Sequence, residues 1–411
     1  MRTVLGVLVG RRDSILAAYH SPATLWLGLA FVLVAGLARD YDAADLSRDP
    51  WWLVVPAGAS AVVALAIYGL ARVRVADRPP FWSGYRRFLG LVWLMSPMAL
   101  LYGIPWERLA EPGEAVRLNL WTLALVSAWR VALAARVVHV LTDLGGVPSL
   151  LRVSLIAGSV AALALFTVPA PVFQVMGGIR QTSGERLLAS TIVFARAGVV
   201  LSSLFWLVGG LVSLAYGRGR WVAHAGTRGG TSWACVVLPA VLAAPFVIAL
   251  PATQREQRLR DDAEALMLAG KVDEALAMMS SHRREEFPPQ WDPPPLIGWS
   301  VDERPPLLDV VERVVARDHA GWVRDVYVDK FERRFLSSYA RYNDVDAAEW
   351  ARARNVIARL APTVNLAERH ELTIAAIEQR LADDAERTGR EDARRAATRG
   401  ASRPTTQGSV P

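Results

Sequence analysis

The most persistent pattern in the chain is a series of long apolar segments separated by short polar ones. A bilayer core takes about 20 residues of helix to cross. Segments of that length lie at 23–38, 51–71, 88–105, 119–141, 153–176, 190–215 and 232–251. Ahead of them, "MRTVLGVLVGRRDSILAAY" is apolar on one side and basic, and too short to span. No small-residue cleavage pattern follows it, so residues 1–22 read as an interfacial helix. The predicted fold class is all-α: a polytopic membrane bundle of about seven spans over 23–251, then a soluble α-helical domain.

Beyond Pro251 the period changes. In "ATQREQRLRDDAEALMLAGKVDEALAMMSSHRRE", 252–285, apolar residues recur at helical spacing on both sides of a Gly-Lys turn. A proline-rich link at 287–306 excludes helix, with Trp291 and Trp299 placed to pack it down. Stripes follow at Leu307, Val310, Val311 and Val314, then at Val326, Phe331, Phe335 and Tyr339. Two more helical patterns come next, with Asp344 or Asp346 and then Asn365 placed as caps. The helical domain is thus read as 252–385, and 386–411, poor in apolar residues, as a disordered tail. The pattern of Ala263, Leu266, Gly270, Ala275 and Leu276 resembles one tetratricopeptide-type hairpin, over about 30 residues. No second copy follows at that period, so a plain helical hairpin offered for interaction describes Leu266, Gly270, Ala275 and Leu276 better.

Charge orients these pieces. Residues 1–251 carry 21 arginines, no lysine and 11 acids, a net of +10, whereas 252–411 is net −3. Arginine alternates between loops, about 13 on one side of the spans against 6 on the other. The positive-inside rule then puts the N-terminus in the cytoplasm, and seven spans put the helical domain outside it. Trp26, Trp51, Trp52, Trp121 and Trp233 fall near span ends, as interfacial anchors do. The near-replacement of lysine by arginine suggests a GC-rich bacterial genome, hence a multi-pass protein of a bacterial inner membrane. The basic pI of 9.9 belongs to membrane orientation, since no basic, aromatic-interleaved surface points to nucleic acid.

Chemistry is sparse. One cysteine, Cys235, excludes an intrachain disulfide, and six histidines (20, 139, 224, 282, 319, 370) have no ligand spacing. "ERHEL" at 368–372 reads as a solvated helix face, and Asp318 and His319 point apart. No Gly-x-Ser-x-Gly elbow, His-Glu-x-x-His site or phosphate loop occurs, so no catalytic, metal or cofactor residue is assigned. No acid lies inside a span, which argues against the usual ion-coupled machines. Pro97, Pro169, Pro171, Pro239 and Pro245 interrupt apolar runs, and broken helices can line transport sites.

Arg130, in "LALVSAWRVALAARVVHVLTD" (123–143), is the exception. It lies about 5 Å from the middle of its span, near enough to the interface for its stem to snorkel. Ser127 and Ala134 flank it on one helix face, which suits a helix contact. With no intramembrane acid, its partner must be a carbonyl, a hydroxyl, water, a lipid phosphate or an anionic ligand. Arg130, Ser127 and Arg196 are therefore the candidate intramembrane anion or helix-contact site. Three functions compete. The first is a non-enzymatic anchor or assembly protein whose helical domain binds a protein partner. The second is a transporter or lipid-handling protein using the proline-broken spans and Arg130. The third is an enzyme acting on a membrane lipid.

Overall fold

A computed structural model describes residues 2–42, 44–167, 183–222, 234–289, 291–296, 305–336 and 346–401. Pro169, Pro171, Trp233, Trp299, Tyr339 and Asp344 fall outside these. The described chain is all-α apart from two short strands. Two compact units emerge. The first lies within 2–167, 183–262 and 284–291, and the second within 263–283 and 292–401.

The first unit opens with α1 (Arg2–Leu8) and α2 (Arg12–His20). Residues 1–22 read as a single surface helix from the sequence. Instead Gly10, at φ 72°, turns the chain between two helices. Val4, Val7, Ile15, Ala18 and Tyr19 are buried in the bundle core, because the apolar side of this segment finds protein to pack against. There follow α3 (Ala23–Asp40), α4 (Val55–Ala71), β1 (Val75–Ala76), α5 (Phe81–Leu94), α6 (Pro112–Thr142), α7 (Gly146–Thr167), α8 (Ser183–Leu201), α9 (Gly209–Tyr216), β2 (Gly219–Arg220) and α10 (Ala234–Leu268).

Among the described residues, seven helical stretches are long and apolar enough to cross a membrane, so the chain is a multi-pass membrane protein. Three of these stretches are irregular. The second, Pro50–Ala71, opens with a 3₁₀ turn at Pro50–Leu53. The third, Phe81–Leu109, passes from α5 into a 3₁₀ segment, Ser96–Gly103, where Pro97 cannot donate. The sixth, Thr191–Tyr216, carries a π segment at Leu204–Val208 between α8 and α9. The helix α10, by contrast, runs through Pro239, Pro245 and Pro251. Close approach of α3 and α5 depends on two glycines. A Cβ at Gly28 would lie 2.8 Å from the Gly90 carbonyl, and one at Gly90 3.0 Å from the Leu25 nitrogen.

At one end of the bundle the parallel pair β1–β2 joins two loops, with Trp221 N–H donating to the Ala76 carbonyl at 2.9 Å. Above it an aromatic layer gathers Tyr19, Tyr68, Phe88 and Trp221, with Arg72 over the Tyr68 ring and Arg87 over the Tyr19 ring. Beneath it lies Arg152 of α7, 1% exposed. Its Nη1 donates to the carbonyls of Leu70 (3.1 Å) and Val73 (2.8 Å), at the C-terminus of α4. Its Nη2 donates to those of Ser213 (3.1 Å) and Gly217 (2.9 Å), at the C-terminus of α9, and its Nε to the Ser213 hydroxyl (3.3 Å). Helix C-termini leave carbonyls without intrahelical donors and carry partial negative charge. One guanidinium answers both needs for two helices.

At the opposite end of α3, loop 41–46 is held by the polar turns of α10. Thr253 Oγ1 and Gln254 Nε2 donate to the Tyr41 carbonyl (2.7 and 3.1 Å). The Leu46 N–H donates to Gln254 Oε1 (2.6 Å), and Gln257 Nε2 donates to the Asp42 carbonyl (2.5 Å). These bonds keep residues 252–262 with the membrane bundle, so the units divide at Asp262–Ala263 and not at the composition break near Pro251.

The second unit contains the end of α10, α11 (Val272–Ser280), α12 (Leu307–Ala316), α13 (Gly321–Phe335), α14 (Ala347–Leu360) and α15 (Glu371–Ala401). Gly270, at φ 75°, ends α10: Lys271 N–H donates to the Leu266 carbonyl at 2.9 Å and Gly270 N–H to that of Met267 at 3.0 Å. Leu266 is half-buried, and Ala275 and Leu276 are fully buried as α11 packs on α12 and α13. Asp346 caps α14 and Asn365 caps the turn at Leu366–Arg369. The helix α15 continues to Ala401, across the first part of the segment expected to be disordered. A helix already nucleated needs only good helix formers to extend, and the Glu386–Arg390 pair one turn apart supports it. Residues 402–411 fall outside the described residues.

Arg152→Gln is expected to cost about 3 kcal/mol or more, since each buried acceptor left without a donor costs about 1–3 kcal/mol. Arg152→Lys, with fewer donors, should fall between the two. Thermal unfolding of the full chain in detergent measures this, and a glutamine variant that melts with the wild type would remove Arg152 from its role.

Candidate functional site

The three candidate residues of the membrane unit have separate surroundings. Arg130 lies on the buried stripe of α6, in line with Val126, Leu133, Ala134 and Val137. It is half-buried, on the helix against which the 3₁₀ segment packs. Ser127, three residues earlier, is exposed. Arg196 of α8 donates through Nε to the Leu165 carbonyl at 3.0 Å and lies 5.9 Å from the Phe166 ring centre. No contact among the described residues joins the three.

The breaks in the spans have distinct consequences. In the sixth span, the Trp206 indole of the π segment donates to the Val199 carbonyl at 3.2 Å and lies against Gly158 of α7. This break is closed by the side chain it carries. In the third span, the Ser96 hydroxyl at the start of the 3₁₀ segment is buried without a hydrogen-bond partner among the described residues. The end of that span is fixed by Trp106, whose indole donates to the Thr122 hydroxyl of α6 at 3.3 Å.

A polar cluster that sequence reading missed surrounds loop 41–46. Arg108 pairs with Glu256 through both guanidinium nitrogens, and Asn119 Nδ2 donates to Glu107 Oε1 at 2.5 Å. Asp42 sits among them. Burial, reinforced by the charge of Glu107 and opposed by Arg108, pushes its carboxyl up to about 6. The two acidic loops were visible in the sequence. Their meeting with Glu256 was not, because it depends on which helix α10 packs beside.

In the helical unit the reactive side chains are held by one another. Ser280 Oγ lies 3.1 Å from His319 Nδ1 and accepts from the Ala320 N–H at 3.4 Å. Burial, and then the charge of Arg317, lower the His319 pKa. His370 lies 3.3 Å from Glu332, which also pairs with Arg369 at 2.6 Å, so the "ERHEL" histidine faces α13 and not solvent alone. Lys330, one of two lysines in the chain, is buried. Its ammonium contacts the carbonyls of Pro293 and Pro295 (the latter at 2.9 Å) and the Asp292 carboxylate at 2.8 Å. Tyr327 donates to the intervening Pro294 carbonyl at 2.7 Å. A compact ammonium suits three convergent acceptors where a planar guanidinium would not. No group of three or more metal-ligating side chains occurs among the described residues. Between α12 and α14 lies a groove of about 540 Å³, with Asp309, Glu312, Arg313, Asn355 and Arg359 around Val356.

No family model, no curated protein and no solved structure matches the chain.

Asp42 gives a pH dependence of known sign. Its folded-state pKa of about 6 lies above its ordinary value of 3.8, so the fold binds this proton more tightly than the unfolded chain does. The resulting stability is fully present below 3.8 and is lost as pH rises through about 6. Asp42→Asn should therefore melt higher than wild type at neutral pH, with the gap closing as pH falls across that window. A gap independent of pH in detergent melts would refute this account of the cluster.

Proposed function

We propose that the chain is a non-enzymatic membrane anchor or assembly protein that presents its helical domain outside the cytoplasm to a protein partner. The carrying observation is the α12–α14 groove. Arg352 pairs with both Asp309 and Glu312, and Arg313 with Asp273, so one wall is a fixed array of charges. The exposed Arg359 and Asn355 occupy the other side, over the apolar Val356. A groove rimmed by charged and polar side chains, with the buried Val356 at its base, suits a polar protein segment. The engagement of Ser280, His319, Lys330 and His370 in internal contacts supports a binding role over a reactive one. The seven apolar helices support anchoring, and the alternation of arginine between loops supports the orientation. The arginine-for-lysine bias supports a bacterial inner membrane.

A photocrosslinking residue at Asn355 in the full chain is expected to give a discrete protein adduct in cells. Arg359→Glu should reduce it several-fold, while a probe at the exposed Leu372 gives no such adduct. Identical labelling from both probes, or indifference to Arg359→Glu, would refute the groove. A reporter fused after residue 401 should be active outside the cytoplasm, and cytoplasmic activity would reverse the orientation.

A further inference from the structure

We propose that Arg130 is the anchor of an intramembrane oxyanion site, in a crevice between α6 and the 3₁₀ segment of the third span. The ligand is a phosphate or similar oxyanion, carried on a lipid headgroup or free. The argument starts with register. The buried residues of α6 around it are Val126, Leu133, Ala134, Val137 and Leu141. Arg130 lies four residues after the first and three and four before the next two, so its backbone aims it into the protein. The arginine does not face the lipid.

Its depth follows from the contact of Trp106 with Thr122. Arg130 lies eight residues further along α6, ~12 Å deeper at the helical rise. A helical side chain leans back toward its own N-terminus, and the 3₁₀ segment packs on this helix.

Two other arginines of the spans are satisfied by the chain. Arg152 is saturated by five carbonyls and a hydroxyl, and Arg196 holds the Leu165 carbonyl. Arg130 forms no hydrogen bond, ion pair or ring contact among the described residues. A half-buried cation on the inward stripe, unmatched among the described residues, at a depth where a central arginine costs about 2.5–3.5 kcal/mol, calls for an anion the described chain does not supply. The planar fork of arginine fits two oxygens of such an anion side by side. The 3₁₀ segment provides room for it, since its narrower path replaces an α-helical wall opposite α6.

The test uses the full chain purified in a neutral detergent, titrated separately with dioleoyl phosphatidylglycerol and with inorganic phosphate. Native mass spectrometry reads the lipid adduct and thermal unfolding reads both ligands. Wild type is expected to bind at least one of them. Arg130→Gln should weaken that binding at least tenfold, and Arg196→Gln less than twofold. A response to the lipid alone assigns a headgroup, and a response to inorganic phosphate assigns a free oxyanion. Should the glutamine variant fail to fold, Arg130→Lys keeps length and charge but loses the fork, and about tenfold weaker binding is expected. Wild type that binds neither ligand overturns the proposal. So does an Arg130→Gln chain, or in its place an Arg130→Lys chain, that binds as wild type does.

Discussion

The bundle depends on a single constraint: where helices end buried in protein, their last carbonyls need donors, and water is not there to provide them. Arg152 meets that constraint for α4 and α9 together. Because both C-termini converge on one side chain of α7, the chain segments that leave them emerge side by side. They then pair as β1 and β2, and the residue after β2, Trp221, enters the aromatic layer with Tyr68 and Tyr19. Val222 N–H closes the arrangement on the Leu141 carbonyl at the end of α6. Remove the guanidinium and five carbonyls at the two helix ends lose their donor. That order of dependence explains why a charged residue is among the least exposed in the unit.

How far this was legible from sequence varies with the dimension of the signal. The spans were legible because bilayer thickness is a one-dimensional requirement, written directly as run length. The role of Arg152 was not. In the sequence it counts as one more arginine in a basic loop, and its function exists only once carbonyls from residues 70, 73, 213 and 217 converge. The division of the units follows the same logic. Composition changes at Pro251, but Thr253, Gln254 and Gln257 carry polar side chains because they hold loop 41–46, and they stay with the membrane bundle. Local signals fared better where the physics is local: Asp346 and Asn365 cap as their positions implied. The tail is a separate case. Absence of apolar residues predicts absence of packing, and α15 extends to Ala401 as helix regardless.

Lys330 and Arg152 are two answers to one problem. Each is a buried cation whose partners are largely backbone carbonyls of an irregular segment, and each fixes that segment's path. In the helical unit the segment is the strap at Asp292–Pro295, whose prolines offer carbonyls without offering N–H groups. In the membrane unit it is a pair of helix ends. The chemistry follows acceptor geometry: a few acceptors around a point select the ammonium, and five spread over two helix ends select the wider fork.

Set against those two, Arg130 shows what an unsatisfied cation looks like in the same protein. The chain spends donors sparingly at depth. It turns the Trp206 indole onto the Val199 carbonyl at the π segment and the Arg196 guanidinium onto the Leu165 carbonyl. Among the described residues the bundle closes those smaller deficits yet gives Arg130 no partner, on a helix against which the 3₁₀ segment Ser96–Gly103 packs. That segment, whose Ser96 hydroxyl also has no partner among the described residues, is where the third span gives up α-helical regularity. Irregular backbone at membrane depth persists where it borders protein or a polar cavity and not lipid. The position of Arg130 on the inward stripe of α6 satisfies that condition. The break in the third span and the arginine on α6 thus lie on elements that pack together, and that placement carries the proposed site.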